Sequence, residues 1–250
     1  MLSFEYSSIG DTFQISGVNG KKMAKEFIPD IALQDNTSQR LPCIIVVDGS
    51  RSMSYKKDGI RPIDSLNEGL KTLENELKQD DTAVQRVQLL VIRCGDEDRV
   101  EIVQDWVDAL DFSAPEIVAK GRTPLGAAVG EGLKKIREQK QNYMEYGIPY
   151  NRPWLFIITD GGPTDRGWKR VADECREAEN NNEVMVFPIG TEGANFEKLS
   201  LFSNRSPVVL DGLKFKEMFV WLSRSVSIAS VAAQGEEVQI EAPDWGVTKG

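Results

Sequence analysis

Cys43-Ile44-Ile45-Val46-Val47-Asp48-Gly49-Ser50-Arg51-Ser52 is the stretch that decides the fold class. An unbroken apolar run rich in β-branched residues reads as a strand buried on both faces. Such strands belong to parallel sheets covered by helices. The run ends on a carboxylate, and two hydroxyls follow at alternate positions. The D-x-S-x-S spacing lets one loop turn the oxygens of Asp48, Ser50 and Ser52 toward a single point. Hard oxygens gathered in this way suit a hard divalent cation such as Mg²⁺. A site directly after a strand lies at the carboxyl end of the sheet, where open α/β folds bind their ligands.

Outward from this loop the pattern alternates between strands and helices. Ile63, Leu66, Leu70, Leu73 and Leu77 recur at helical spacing and predict a helix over 62–78. Val87 to Cys94 and Val100 to Val103 read as strands. Asp96-Glu97-Asp98 between them reads as a solvated turn, and so short a connection predicts an antiparallel hairpin. Thr123 as N-cap and Pro124 at the first helical position predict a helix running to about Gln141. Trp154 to Thr159 follows as a buried strand, then a helix over 167–180, a strand from Val184 to Ile189, a short helix near 195–202, a strand from Pro207 to Leu210 and a last helix over 214–228. This order predicts an α/β, doubly wound, mostly parallel central sheet with one antiparallel edge strand and helices on both faces. The chain divides into an N-terminal extension over 1–40, with a hairpin around Gly10-Asp11, a main domain over 41–228, and an acidic tail over 229–250.

The bulk numbers narrow the function classes. A chain of 250 residues with 40% hydrophobic content can bury one sizeable core. A net charge of −9 gives a surface that repels nucleic acid and anionic membranes. No stretch approaches the roughly 18 apolar residues of a membrane span. The N-terminus lacks the basic start and apolar core of a secretory signal. Cys43, Cys94 and Cys175 read as reduced thiols of a cytoplasmic protein. The chain contains no histidine, which removes histidine triads, histidine general bases and most zinc sites.

Two further loops complete a constellation. Gly121-Arg122-Thr123-Pro124-Leu125-Gly126 opens one helix, and Thr159-Asp160-Gly161-Gly162 follows a buried strand. In a doubly wound sheet these meet the first loop at one edge, so that Asp48, Ser50, Ser52, Thr123 and Asp160 offer two carboxylates and three hydroxyls. Taken singly, Thr123 is a helix cap and Asp160-Gly161 a turn. Taken together, they resemble the metal-ion-dependent adhesion site of a von Willebrand factor A domain. That resemblance covers roughly Leu41 to Ile228. It implies Asp48, Ser50, Ser52, Thr123 and Asp160 as ligands of Mg²⁺, with Mn²⁺ or Ca²⁺ as alternatives, and one position open to a partner's Asp or Glu. The surrounding wording is closer still to the TerY-like bacterial group of tellurium-resistance and stress or defence proteins: Asp111-Phe112 with Pro115, then Arg152-Pro153, then Gly161-Gly162-Pro163-Thr164-Asp165. This implies a scaffold that joins kinase, phosphatase or TerD-like partners. The family pattern often has Gly between the two serines; here it is Arg51, which places positive charge beside the open position.

Arg51, Arg122, Arg166 and Trp168 are therefore the expected partner-binding residues. The rival reading is a metal-dependent hydrolase or phosphotransferase using Asp48 or Asp160. Against it, no general base stands out, and position 50 is Ser where an aspartyl-phosphate enzyme has Asp. A third reading is an assembly subunit with a vestigial metal site. Gly17 to Lys22 faintly resembles a phosphate loop, but its spacing is too short and no Ser or Thr follows the Lys, so it reads as a turn.

Overall fold

The computed structural model describes residues 36, 38–95, 99–233, 240 and 243–249. The expected hairpin near Gly10, the Gly17–Lys22 turn and the Asp96–Asp98 turn lie outside the described residues. Among those described, seven strands form one sheet in the order β3-β2-β1-β4-β5-β6-β7. They are β1 (Leu41–Gly49), β2 (Val87–Gly95), β3 (Arg99–Asp108), β4 (Trp154–Thr159), β5 (Met185–Thr191), β6 (Val208–Leu210) and β7 (Gly246–Thr248). The helices are α1 (Pro62–Lys78), α2 (Asp81–Arg86), α3 (Leu125–Glu145), α4 (Trp168–Asn180), α5 (Phe196–Leu199) and α6 (Phe215–Val231), with 3-10 turns at Arg51–Ser54 and Ser200–Phe202.

The central strand β1 is parallel to β2 on one side and to β4 on the other. Every residue of β1 is buried. Its side chains alternate between two cores. Cys43, Ile45 and Val47 pack with α1 and α6, through Leu66, Leu70, Leu73, Phe215 and Phe219. Ile44 and Val46 pack with α3 and α4, through Leu125, Val129, Leu133 and Val171. This two-sided burial is why the run shows no polar alternation. Leu66, Leu70, Leu73 and Leu77 on α1 have no exposed surface, and truncating any one of them to Ala removes about 2–5 kcal/mol.

Both ends of α1 match the sequence expectation, with Pro62 at its first position. Strand β3 runs antiparallel to β2, as expected, but extends to Asp108. The short helix α2 was not foreseen; Asp80 caps it by accepting hydrogen bonds from the Thr82 and Ala83 amides, both at 2.9 Å. A second difference concerns the segment assigned to the tail. Gly246–Thr248 adds β7 antiparallel to β6, closing the opposite edge of the sheet. Trp245, just before it, is 1% exposed and meets Trp221 edge-on with ring centroids 5.5 Å apart. At the other end of the domain, Arg40 is wholly buried and pairs with Asp108 at 3.1 Å, so the packed unit begins before Leu41.

Candidate functional site

Three loops meet at the carboxyl ends of β1 and β4, where the winding of the sheet changes direction. The order β2-β1-β4 puts the Asp48 loop beside the Asp160 loop, because Val47 is in register with Ile158. Ligand crevices form at such switch points.

The contacts among the loops form a closed triangle. The Ser52 hydroxyl donates to Asp160 Oδ1 at 2.7 Å and lies 2.9 Å from the Ser50 hydroxyl. The Arg51 amide donates to the Gly121 carbonyl at 3.0 Å, which joins the first loop to the second. The Thr164 amide donates to the Thr123 carbonyl at 2.9 Å, which joins the third loop to the second. The structure therefore brings all five expected residues to one edge. Asp48, Ser50, Thr123 and Asp160 are buried and Ser52 is partly so.

Thr123 differs from expectation in one respect. The helix starts at Leu125 with Pro124 at the cap and no side-chain cap bond, so the Thr123 hydroxyl does no capping. Asp165 supplies that bond instead, accepting from the Gly126 amide at 3.0 Å. Gly126 is required by packing: a Cβ there would lie 2.4 Å from the Trp168 Cα. Trp168 itself is a correction. It is 8% exposed and its indole stacks on Phe202 with centroids 6.0 Å apart, so it is a core residue and not part of a partner surface. Arg51, Arg122 and Arg166 are exposed.

The geometry adds two residues that sequence reading missed. Thr159, 1% exposed, donates its hydroxyl to Asp48 Oδ2 at 2.5 Å and accepts the Gly161 amide at 3.1 Å. The other Asp48 oxygen accepts the Ser50 amide at 2.8 Å. Thr159 looked like the last residue of a strand. The available signal was the parallel pairing of two buried strands that both end at the site. Arg93, on β2, donates from Nε to the Val118 carbonyl at 2.9 Å and approaches the Gly49 carbonyl at 3.5 Å. It thus braces the first two loops from behind. A Cβ on Gly49 would fall 2.5 Å from Arg93 Nε, which explains glycine after Asp48.

Burial pushes the Asp48 carboxyl up to about 6, with the negative charge of Asp160 adding to the rise and the bonds from Thr159 and Ser50 opposing it. Neither Asp48 nor Asp160 has a Lys or Arg within 4.0 Å among the described residues. Nor do three or more His, Cys, Asp or Glu converge anywhere among them. The donor set is two carboxylates and three hydroxyls, all hard oxygen, and it fits a hard divalent cation.

No protein-family model and no curated protein matches the sequence. Solved structures do match in three dimensions. The pilus adhesin SpaC of Lactobacillus rhamnosus GG aligns with a TM-score of 0.61 at 13% identity, over 78% of this chain and 32% of the adhesin. Proximal thread matrix protein 1 from the mussel byssus aligns with a TM-score of 0.51 at 14% identity, over 77% of this chain and 49% of that protein. The ArnB paralog VWA2 of Sulfolobus acidocaldarius aligns with a TM-score of 0.50 at 14% identity, over 76% of this chain and 46% of that one. The chain thus spans about half the length of two of these proteins and about a third of the other. These likenesses define the fold, which is the Rossmann-like von Willebrand factor A fold.

Proposed function

We propose that this chain is a divalent-cation-dependent protein-binding module and not an enzyme. The observation that carries the reading is the pair of buried carboxylates, Asp48 and Asp160, with the Ser50 and Ser52 hydroxyls between them and no Lys or Arg within 4.0 Å of either among the described residues. Asp48, Ser50, Ser52, Thr123 and Asp160 would hold the ion, Mg²⁺ in preference to Mn²⁺ or Ca²⁺. Bound there, it supplies an electrophilic position that takes an Asp or Glu of a partner.

The chain's own residues prepare that position. Thr159 and the Ser50 amide each occupy one oxygen of Asp48 and fix its orientation. Ser52 fixes Asp160. The two bonds on Asp48 weigh against it as the nucleophile of a hydrolase or phosphotransferase, since a carboxylate with both oxygens engaged is a poor nucleophile. Exposed Arg51, Arg122 and Arg166 favour an acidic partner. The presence of a pilus adhesin among the structural neighbours is in keeping with a binding role.

At a finer level, the wording around the motifs supports an adaptor in a bacterial tellurite-resistance, stress or defence system, joining kinase, phosphatase or TerD-like proteins in the cytoplasm. Three buried, unpaired cysteines suit a reducing compartment. No helix among the described residues is long and apolar enough to cross a membrane.

The test is thermal stability against MgCl₂ and MnCl₂, compared with EDTA, for the wild type and for Ser52→Ala with Asp160→Asn. An ion at 100 times its Kd adds about 2.7 kcal/mol to a protein that binds it only when folded. A rise in midpoint that the double variant loses is the expected result. A wild type indifferent to both salts overturns the cation-dependent reading.

A further inference from the structure

Beside the site stands a tight hairpin that the cation reading does not use. Lys57 and Ile60 exchange backbone hydrogen bonds of 2.8 and 3.0 Å across Asp58-Gly59. Both central residues have positive φ, 49° and 85°. Asp-Gly is a preferred pair for such two-residue turns. The hairpin is fixed to the site's rim. Lys57 Nζ donates to Thr191 Oγ1 at 3.2 Å, and a Cβ on Gly193 would lie 3.4 Å from both Lys57 Nζ and the Asp160 carbonyl. Tyr55 begins three residues after Ser52, with its amide bonded to the Ser52 carbonyl at 2.9 Å.

The turn itself presents the exposed Asp58, and the residues that flank it are large and apolar in body: Tyr55 is 61% exposed and Ile60 is 54% exposed. On the first loop, the Arg51 amide bond to Gly121 sets Arg51 alongside Arg122. Both guanidinium groups are exposed and neither forms an ion pair among the described residues; the same holds for Lys56. A chain of net charge −9 thus carries exposed Arg51, Lys56 and Arg122 on the loops of this edge, in the same stretch as exposed Tyr55 and Ile60, with Asp58 the one acid in 51–60. Exposed positive charge without an ion-pair partner favours an anionic ligand.

We propose that the 55–60 hairpin, together with Arg51 and Arg122, is a docking surface for an acidic linear segment of a partner protein, one that carries an aliphatic or aromatic side chain within a few residues of its carboxylate. This rests on the cation-dependent reading above and adds to it the chemistry of the partner. The carboxylate is held at the cation, further acidic residues lie over Arg51 and Arg122, and the apolar side chain packs on Tyr55 and Ile60. Tyr and Arg are the residue types in which interface energy concentrates. The pre-formed turn lowers the ordering cost of binding.

The probes are fluorescein-labelled peptides on a Gly-Ser background, with one Asp-Glu pair and a Leu or Phe at successive positions after it. A matched set has Ser in place of the Leu or Phe. Anisotropy is read in saturating MnCl₂ and in EDTA. The expected result is that acid-plus-apolar peptides bind the wild type in MnCl₂. Tyr55→Ser with Ile60→Ser should weaken them about tenfold and leave the acid-only peptides unchanged. Arg51→Glu with Arg122→Glu should weaken both sets and reduce the salt dependence. Since Tyr55 and Ile60 are exposed, the first double variant should keep the wild-type melting point. Cation-dependent binding that ignores the Tyr55/Ile60 change overturns the docking surface and leaves the cation-dependent module standing. Binding that needs Tyr55 and Ile60 but persists in EDTA upholds the surface and removes its dependence on the cation. A wild type that binds no peptide in MnCl₂, or that forms a dimer dissolved by the same double variant, overturns the proposed occupant.

Discussion

Asp48→Asn should make the protein more stable while depriving it of its response to cations. Asp48 has no exposed surface, and its carboxyl is displaced from an ordinary value of 3.8 to about 6, chiefly by burial. A displacement of that size costs the folded state about 3 kcal/mol once the group is ionised. The sign follows from the direction. The folded protein binds this proton more tightly than the unfolded chain does, so the group's contribution is most favourable below about pH 4. It is lost as pH rises through 6. Asn keeps the shape, still accepts the Ser50 amide and can donate its Nδ2 to the Thr159 hydroxyl in place of the bond Asp48 accepted from it, but it carries no charge to bury. In EDTA at pH 8 the variant should therefore gain about 3 kcal/mol, or about 6–12 °C in midpoint for a domain of this size. At pH 4.5 the gain should shrink to about 1 kcal/mol. Urea denaturation at the two pH values, with and without MgCl₂, measures all four quantities. In MgCl₂ the wild type should recover the deficit and the variant should not move. A variant no more stable than wild type in EDTA at pH 8 would refute the idea that Asp48 is an uncompensated buried charge awaiting a cation.

Thr159→Val keeps the β-branched shape but removes the hydroxyl from Asp48 and orphans the Gly161 amide; in EDTA at pH 8 it should cost about 2–4 kcal/mol and weaken Mn²⁺ binding, with calorimetry reading the second effect. Arg93→Met removes the brace on the Gly49 and Val118 carbonyls; it should lower the midpoint and loosen amide protection at 49–52 and 118–121 in hydrogen exchange, and unchanged exchange there would show that the loops hold themselves. Trp245→Ala should cost about 3–5 kcal/mol and free the edge strand Gly246–Thr248, seen as rapid exchange of the Val208–Leu210 amides that face it.

Strand–helix order was legible because each core element announces itself locally. The apolar run at 43–47 has the continuity of a two-sided strand, and the spacing of Ile63 to Leu77 marked the extent of α1. The edges were less legible. β7 is three residues of Gly, Val and Thr with no pattern of its own; it is a strand only because β6 offers an unpaired edge and Trp245 has a core to enter. Trp168 was misplaced for a related reason. An aromatic residue beside a binding loop looks the same in sequence whether it faces solvent or, as here, packs against Gly126 and Phe202.

The sequence by itself determined which chemistry is available: hard oxygens at Asp48, Ser50, Ser52, Thr123 and Asp160, no imidazole, and glycines where the loops turn. Residue identity and short-range spacing carry that information, so no fold is needed to read it. Tertiary structure decided which oxygens are already spoken for. Strand order put β4 against β1, register put Thr159 next to Asp48, and only then did a carboxylate become a buried, oriented and unbalanced charge. Sequence states composition along one dimension, whereas desolvation and charge pairing depend on neighbours that are distant in the chain, here 111 residues apart for Thr159 and Asp48.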